Sequence, residues 1–112
     1  MEEGIPRKQV KISDKFYESI DQIYDFGYET FGYLQAERYD RKIINAIETL
    51  PILYFSYPEC RHLPTKSRLY RNIILDAHLM IYRITAERIE VLDIIHGAMS
   101  VSKIHRVRKI KL

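Results

Sequence analysis

Two periods of apolar residues run along this chain, and the change from one to the other divides it. Between residues 14 and 31, Phe16, Ile20, Ile23, Tyr24, Gly27 and Phe31 recur at three- and four-residue steps. That spacing predicts an amphipathic helix. Ser13 or Asp14 fits its N-cap, and Asp14, Glu18 and Asp21 suit the positive end of its dipole. Gly32 interrupts the pattern and offers a left-handed C-cap. A second stripe, Ala36, Tyr39, Ile43, Ile47 and Leu50, broadened by Ile44 and Ala46, predicts a helix over 34–50 that Pro51 should end. Glu37, Arg38, Asp40, Arg41 and Lys42 form its solvated side. With so short a link, the two helices should make an antiparallel hairpin. Ahead of them, residues 9–13 alternate Val10 and Ile12 with polar positions, a short first strand, and residues 1–8 read as a loose lead-in.

After Pro51 the helical spacing is lost. Residues 69–75, 78–84 and 89–95 are rich in Ile, Val, Leu and Tyr with charges at intervals, the composition of pleated, half-buried strands. Asp76-Ala77 and Thr85-Ala86-Glu87-Arg88 join them. Connections this short require an antiparallel meander, because parallel neighbours need a long crossover. Residues 51–67 contain three prolines and form a long connector, with Tyr54, Phe55 and Tyr57 tacking it to the core and Cys60 as a loop thiol. The order strand, helix, helix, three strands predicts a single α+β domain over 1–112, with a helical hairpin on one face of an antiparallel sheet. The other sheet face is expected to stay partly open, and 100–112 to follow as a basic C-terminal segment.

Composition narrows the function classes. A chain of 112 residues with 46% hydrophobic content can bury one modest core. No apolar run approaches the ~20 residues of a membrane span, and the start lacks the pattern of a secretory leader. One cysteine excludes an intramolecular disulfide and a thiolate zinc cluster. A cytoplasmic protein without metal or cofactor is expected. The net charge of +3 hides an asymmetry: residues 1–60 hold 7 Lys/Arg and 11 Asp/Glu, and residues 61–112 hold 11 and 4. A basic second half suits an anionic or acidic partner.

No phosphate-cradling glycine loop, zinc-protease helix or nucleophile elbow is present. The candidate chemistry lies in Tyr70 and Arg71, Tyr82 and Arg83, and His96, which interleave rings and cations as nucleic-acid contacts do. The same set would serve metal-independent RNA cleavage, with His96 as acid or base and Arg71 or Arg83 on phosphate. Each also has a packing or solvation reading. Lys103, Arg106, Arg108, Lys109 and Lys111 fall within nine residues, with Ile104, Val107 and Ile110 between them at three-residue steps. If helical, the segment would rest its apolar face on the body and fan its cations outward. On that reading removal of 103–112 should still leave folding largely intact, because the core strands are expected to end near His96; the other reading is a frayed basic tail that aids solubility.

The order of elements, together with IYDFGYETFG, LYRNIIL, HLMIYRI and RIEVLDIIHG, resembles the RelE/ParE superfamily of toxin–antitoxin toxins, and most of all its ParE branch of plasmid stabilisation proteins. The shared features are the helical run Ile23 to Phe26, the strand Ile81 to Arg83 and the last-strand ending Ile94 to Gly97. The resemblance implies a type II toxin held inactive by a co-expressed antitoxin. Ribonuclease members cut messenger RNA on the ribosome, and ParE-like members inhibit DNA gyrase. Ribonuclease members tend to carry basic residues where this chain has Leu79 and Ala98 to Ser100. That tilts the expectation to a non-enzymatic gyrase inhibitor whose target-binding residues are Lys103, Arg106, Arg108, Lys109 and Lys111. A ribosome-dependent endonuclease using Arg71, Arg83 and His96 is the alternative, and an antitoxin-binding module of little toxicity the third reading. The antitoxin is expected as an acidic, apolar tail in a groove between hairpin and sheet edge, meeting Arg61, Lys66, Arg68 and the cluster at 103–111.

Overall fold

The computed structural model describes residues 4–112, so the first three residues of the expected lead-in lie outside it. Strand β1 (Gln9–Ile12) leads into helix α1 (Asp14–Phe31) and helix α2 (Tyr33–Leu53). A meander follows, β2 (Tyr70–Leu75), β3 (His78–Ile84) and β4 (Arg88–His96), then a short helix α3 (Val101–Arg106) and a 3-10 turn over Val107–Lys109. The expected α+β order holds.

Ser13 sets the first junction. Its hydroxyl caps α1 by accepting the Phe16 N–H and donates to the Leu92 carbonyl, while its own N–H bonds the Val91 carbonyl at 3.0 Å. One residue thus ends a strand, starts a helix and ties both to β4. Gly32 joins the helices with φ 91° and ψ 173°. Its φ is positive, as a glycine allows, but its ψ is extended rather than left-handed helical. The expected left-handed cap is corrected on that point, although the Gly32 N–H still closes α1 on the Tyr28 carbonyl.

Pro51 does not end α2, which runs on to Leu53. A proline removes one donor from the ladder but leaves its own carbonyl free. Here that carbonyl takes the Lys8 N–H at 3.0 Å, and Tyr54 just beyond is fully buried, so tertiary contacts carry the last turn past the proline.

The sheet order is β1-β4-β3-β2. The meander is antiparallel as expected, but β1 lies parallel to β4, pairing Gln9 with Arg88 through Ile12 with Val91. Two helices supply the long crossover that a parallel neighbour needs. β4 is therefore an inner strand, and seven consecutive residues, Ile89 to Ile95, are buried. The register slips between Ile81 and Tyr82 of β3, leaving Leu92 without a partner. This bulge switches the alternation, so that Ile89, Val91 and Ile94 pack under the helices while Leu92 and Ile95 face the other way.

The opposite face is not open. Leu92, Ile95, Ile81 and Tyr70 lie beneath Cys60 and Leu63 of the α2–β2 connector and Ile104 and Val107 of the C-terminal segment. The expectations of a free sheet face and a removable tail are both overturned, because an inner strand with apolar residues on both sides must be covered on both. Cys60 is likewise a buried core residue, its thiol pushed up by burial.

Two predictions follow from this packing. Ile104 is 3% exposed, so Ile104→Ala should cost about 2–5 kcal/mol in denaturant unfolding, and removal of 103–112 should cost more. Asp93 is buried on β4, bonded by the Ser19 hydroxyl and the Ile94 N–H, and burial raises its carboxyl above the ordinary range despite those bonds. A carboxyl raised in the folded state favours folding most below its unfolded value of about 3.9, and that advantage is lost as pH rises through the folded value. Asp93→Asn keeps an oxygen for both donors and should raise Tm at pH 7 relative to wild type, with the difference shrinking toward pH 3.

Candidate functional site

The C-terminal segment is built as an apolar peg with a charged exterior. Ser100 caps α3 by accepting the Lys103 N–H. Ile104 and Val107 point into the second core and Ile110 is half-buried, so the intervening Lys103, Arg106, Arg108, Lys109 and Lys111 are all exposed. Among the described residues, none of the five enters an ion pair. Arg61, Lys66 and Arg68 are exposed on the connector that packs against the same segment through Cys60 and Leu63. The eight cations expected to bind a target or an antitoxin are thus carried by two segments packed together on one face.

The three residues expected to share RNA chemistry are not brought together. Arg71 on β2 is turned to the connector, where Nη1 donates to the Phe55 and Tyr57 carbonyls at 3.0 and 3.1 Å and Nε to the Arg68 carbonyl at 3.2 Å. Its guanidinium also lies over the Phe55 ring, 5.4 Å from the centroid. Arg83 on β3 pairs with Glu90 at 2.7 Å, with both side chains largely buried. Its remaining donors reach the Tyr70 hydroxyl and the Arg108 and Ile110 carbonyls. Burial pulls the Arg83 guanidinium down, but bonding to Tyr70 and Glu90 outweighs it and raises the group. Burial raises Glu90 in turn, and its bonds from Arg83 and Arg88 outweigh that and hold it below the ordinary carboxylate range.

His96 stands at the far end of the sheet. It pairs across the strands with His78, whereas Arg83 pairs with Tyr70 and Glu90. Five residues along β3 amount to about 17 Å, too far for one phosphate to be held and cleaved between them.

His96 belongs instead to a second site. A groove of about 720 Å³ opens between the helical hairpin and the β2–β3 turn, floored by Ile23, Gly27, Ala36 and Ile43 and closed on the sheet side by His78 and His96. Tyr39 donates its hydroxyl proton to the Leu75 carbonyl at 2.7 Å and sits 2.7 Å from His78 Nδ1. With that proton committed, His78 Nδ1 must be the donor between them. Burial, reinforced by His96 and opposed by Asp76, lowers the His78 imidazole and keeps it neutral at pH 7. Burial and then Asp76 push the Tyr39 hydroxyl up to about 12. His96 Nδ1 accepts the Ala98 N–H at 3.0 Å, and the two rings meet edge to face. The ion pair Lys42–Asp76, 3.0 Å long, flanks the groove. Among the described residues no cluster of His, Cys, Asp or Glu could hold a metal ion, and no helix is long and apolar enough to cross a membrane.

Sequence reasoning placed the groove between hairpin and sheet but missed most of its polar lining, Tyr39, Lys42, Asp76 and His78. The available signal was the excess of large apolar residues near the hairpin turn. Phe26, Phe31 and Leu34 are 67%, 63% and 67% exposed. Phe31 belongs to the predicted buried stripe, yet it stands exposed at the last position of α1, in the lining of the groove. Arg61, Lys66 and Arg68 do not line the groove; the cations that do are Arg38 and Lys42.

A comparison with curated proteins found no match. Among solved structures, one described as the chromosomal ParDE toxin–antitoxin system from P. aeruginosa superposes with a TM-score of 0.67 at 18% identity, over 80% of this chain and 96% of that one. That likeness establishes the shared fold. The model of a protein family, the ParE toxin of the type II toxin–antitoxin system parDE, matches residues 10–101. With most of its length so matched, the chain belongs to the ParE toxin family.

Proposed function

We propose that this chain is the toxin of a type II pair, that it arrests growth in the cytoplasm by inhibiting DNA gyrase without enzymatic chemistry, and that a cognate antitoxin neutralises it. The observation that carries this reading is the division of the cations. Arg71 and Arg83 are engaged with backbone carbonyls and Glu90, and His96 stands about 17 Å from Arg83 along β3. Among the exposed cations, Lys103, Arg106, Arg108, Lys109 and Lys111 are clustered within nine residues of the C-terminal segment and, among the described residues, enter no ion pair. An acidic surface or a nucleic-acid backbone on the target would meet that patch.

The antitoxin has a separate place to bind. The groove beneath the hairpin is apolar along its floor and rimmed by exposed aromatics, which suits an amphipathic segment laid into it. Acidic residues of that segment would meet Arg38 and Lys42 at the groove, whereas Arg61, Lys66 and Arg68 stand with the C-terminal patch and would be met only by a part of the antitoxin that continues beyond the groove.

Induction in a bacterial host, scored in parallel for DNA-damage response and for translation arrest, tests the target. A DNA-damage response with intact messenger RNA is expected. Cleaved messenger RNA with early translation arrest would overturn the gyrase reading in favour of the endonuclease, and no growth defect at all would leave an antitoxin-binding module. Charge reversal of Arg106 and Arg108 should reduce killing at least tenfold with antitoxin co-purification intact. Phe31→Glu on the groove rim should do the opposite, weakening antitoxin binding at least tenfold while leaving killing and Tm near wild type.

A further inference from the structure

The arginine that the sequence offers for catalysis has a different task in the fold. Arg83 sits on β3 opposite Tyr70 and Glu90. Its Nε and Nη2 donate to one Glu90 oxygen at 2.9 and 2.7 Å, Nη2 also donates to the Ile110 carbonyl at 3.1 Å, and Nη1 reaches the Tyr70 hydroxyl and the Arg108 carbonyl at 3.4 Å. Its guanidinium lies 5.8 Å from the Tyr70 ring centroid. Glu90 does not depend on Arg83 alone for neutralisation, because Arg88 holds its other oxygen at 2.9 Å. The contacts peculiar to Arg83 are those to Tyr70 and to the two tail carbonyls, and only the latter reach the C-terminal segment.

Those carbonyls lie where the apolar anchoring of the tail fades. Ile104 and Val107 are 3% and 2% exposed and hold α3 and the start of the 3-10 turn, but Ile110 and Leu112 are only half-buried. From Ile110 onward the backbone has no regular structure. Lys103 and Arg106 are thus placed by the apolar peg, whereas Arg108 and Lys109 fall in the stretch that Arg83 spans and Lys111 follows directly after it.

We propose that Arg83 is a positioning residue: it latches residues 108–110 onto the second face of the sheet and so determines how Arg108, Lys109 and Lys111 are presented. A planar fork spreads its donors over three nitrogens, so it can hold Glu90 through Nε and Nη2 while reaching two carbonyls two residues apart; a lysine places its three donors on one nitrogen and cannot span Glu90 and both carbonyls at once. The consequence for killing rests on the reading of the C-terminal patch given above; the latch itself does not.

Arg83→Lys is the discriminating substitution, since it keeps a cation beside Glu90 and removes the fork. In the purified full-length protein, backbone order parameters at residues 108–111 should fall from the rigid range near 0.85 to below about 0.6, with α3 and the four strands unchanged and Tm close to wild type. Deleting residues 110–112 removes one acceptor from the other side and should loosen residues 108 and 109 in the same way, so the latch remains testable if Arg83→Lys folds poorly. Killing by Arg83→Lys should drop at least tenfold while antitoxin binding is retained. An unchanged, rigid tail in both variants would overturn the proposal. Replacing Arg108, Lys109 and Lys111 by Gln separates the two readings: it should keep the tail ordered and lose killing. Full killing by that variant would remove the patch reading, while the order parameters of Arg83→Lys would still decide the latch.

Discussion

The burial of β4 on both faces is the constraint to which the rest of the fold answers. An inner strand bounded by β1 and β3 has no free edge, and its seven consecutive buried residues leave it no solvated face. One side is covered by the hairpin, the other by the connector and the C-terminal peg. The bulge at Leu92 makes this possible with a run of adjacent apolar residues, since it redistributes them between the two cores without twisting any into water. The polar residues of the strand are accommodated individually: Asp93 by Ser19 on the helix side, Glu90 by two arginines on the other.

Covering the second face with the C-terminal segment fixes where its cations stand. A segment whose apolar residues recur every third position buries one side and must display the other, and here the displayed side is cationic. The charge is therefore held on an ordered scaffold rather than on a solvated tail. Arg83 extends that order past the point where burial alone would sustain it. A buried pair such as Arg83 and Glu90 contributes little net stability compared with an apolar substitute, yet it fixes geometry, because breaking it would strand a charge.

The groove beneath the hairpin lies at the other end of the sheet, bounded by His78 and His96. It is bounded by the hairpin on one side and by the β2–β3 turn on the other, and Phe26, Phe31 and Leu34 near the hairpin turn are left exposed. Groove and cationic patch thus occupy different surfaces of one small protein.

The local periods were sufficient to place α1, the antiparallel meander and the alternation of Ile104, Val107 and Ile110 with cations, because helix and strand geometry act over a few neighbouring residues. The family was legible for the same reason, its motifs lying on those elements in order. What required the tertiary structure was every property that depends on two distant segments meeting. The parallel seat of β1 beside β4 and the passage of α2 beyond Pro51 arise from contacts more than forty residues apart in sequence, and the second face closes only because segments before and after the meander meet over it. The roles of the arginines belong to that class. Arg71, Arg83 and the C-terminal cations are alike as residues, and only the fold decides which reach carbonyls and carboxylates and which remain in water, because a guanidinium takes its partners from whatever the chain brings within hydrogen-bonding distance.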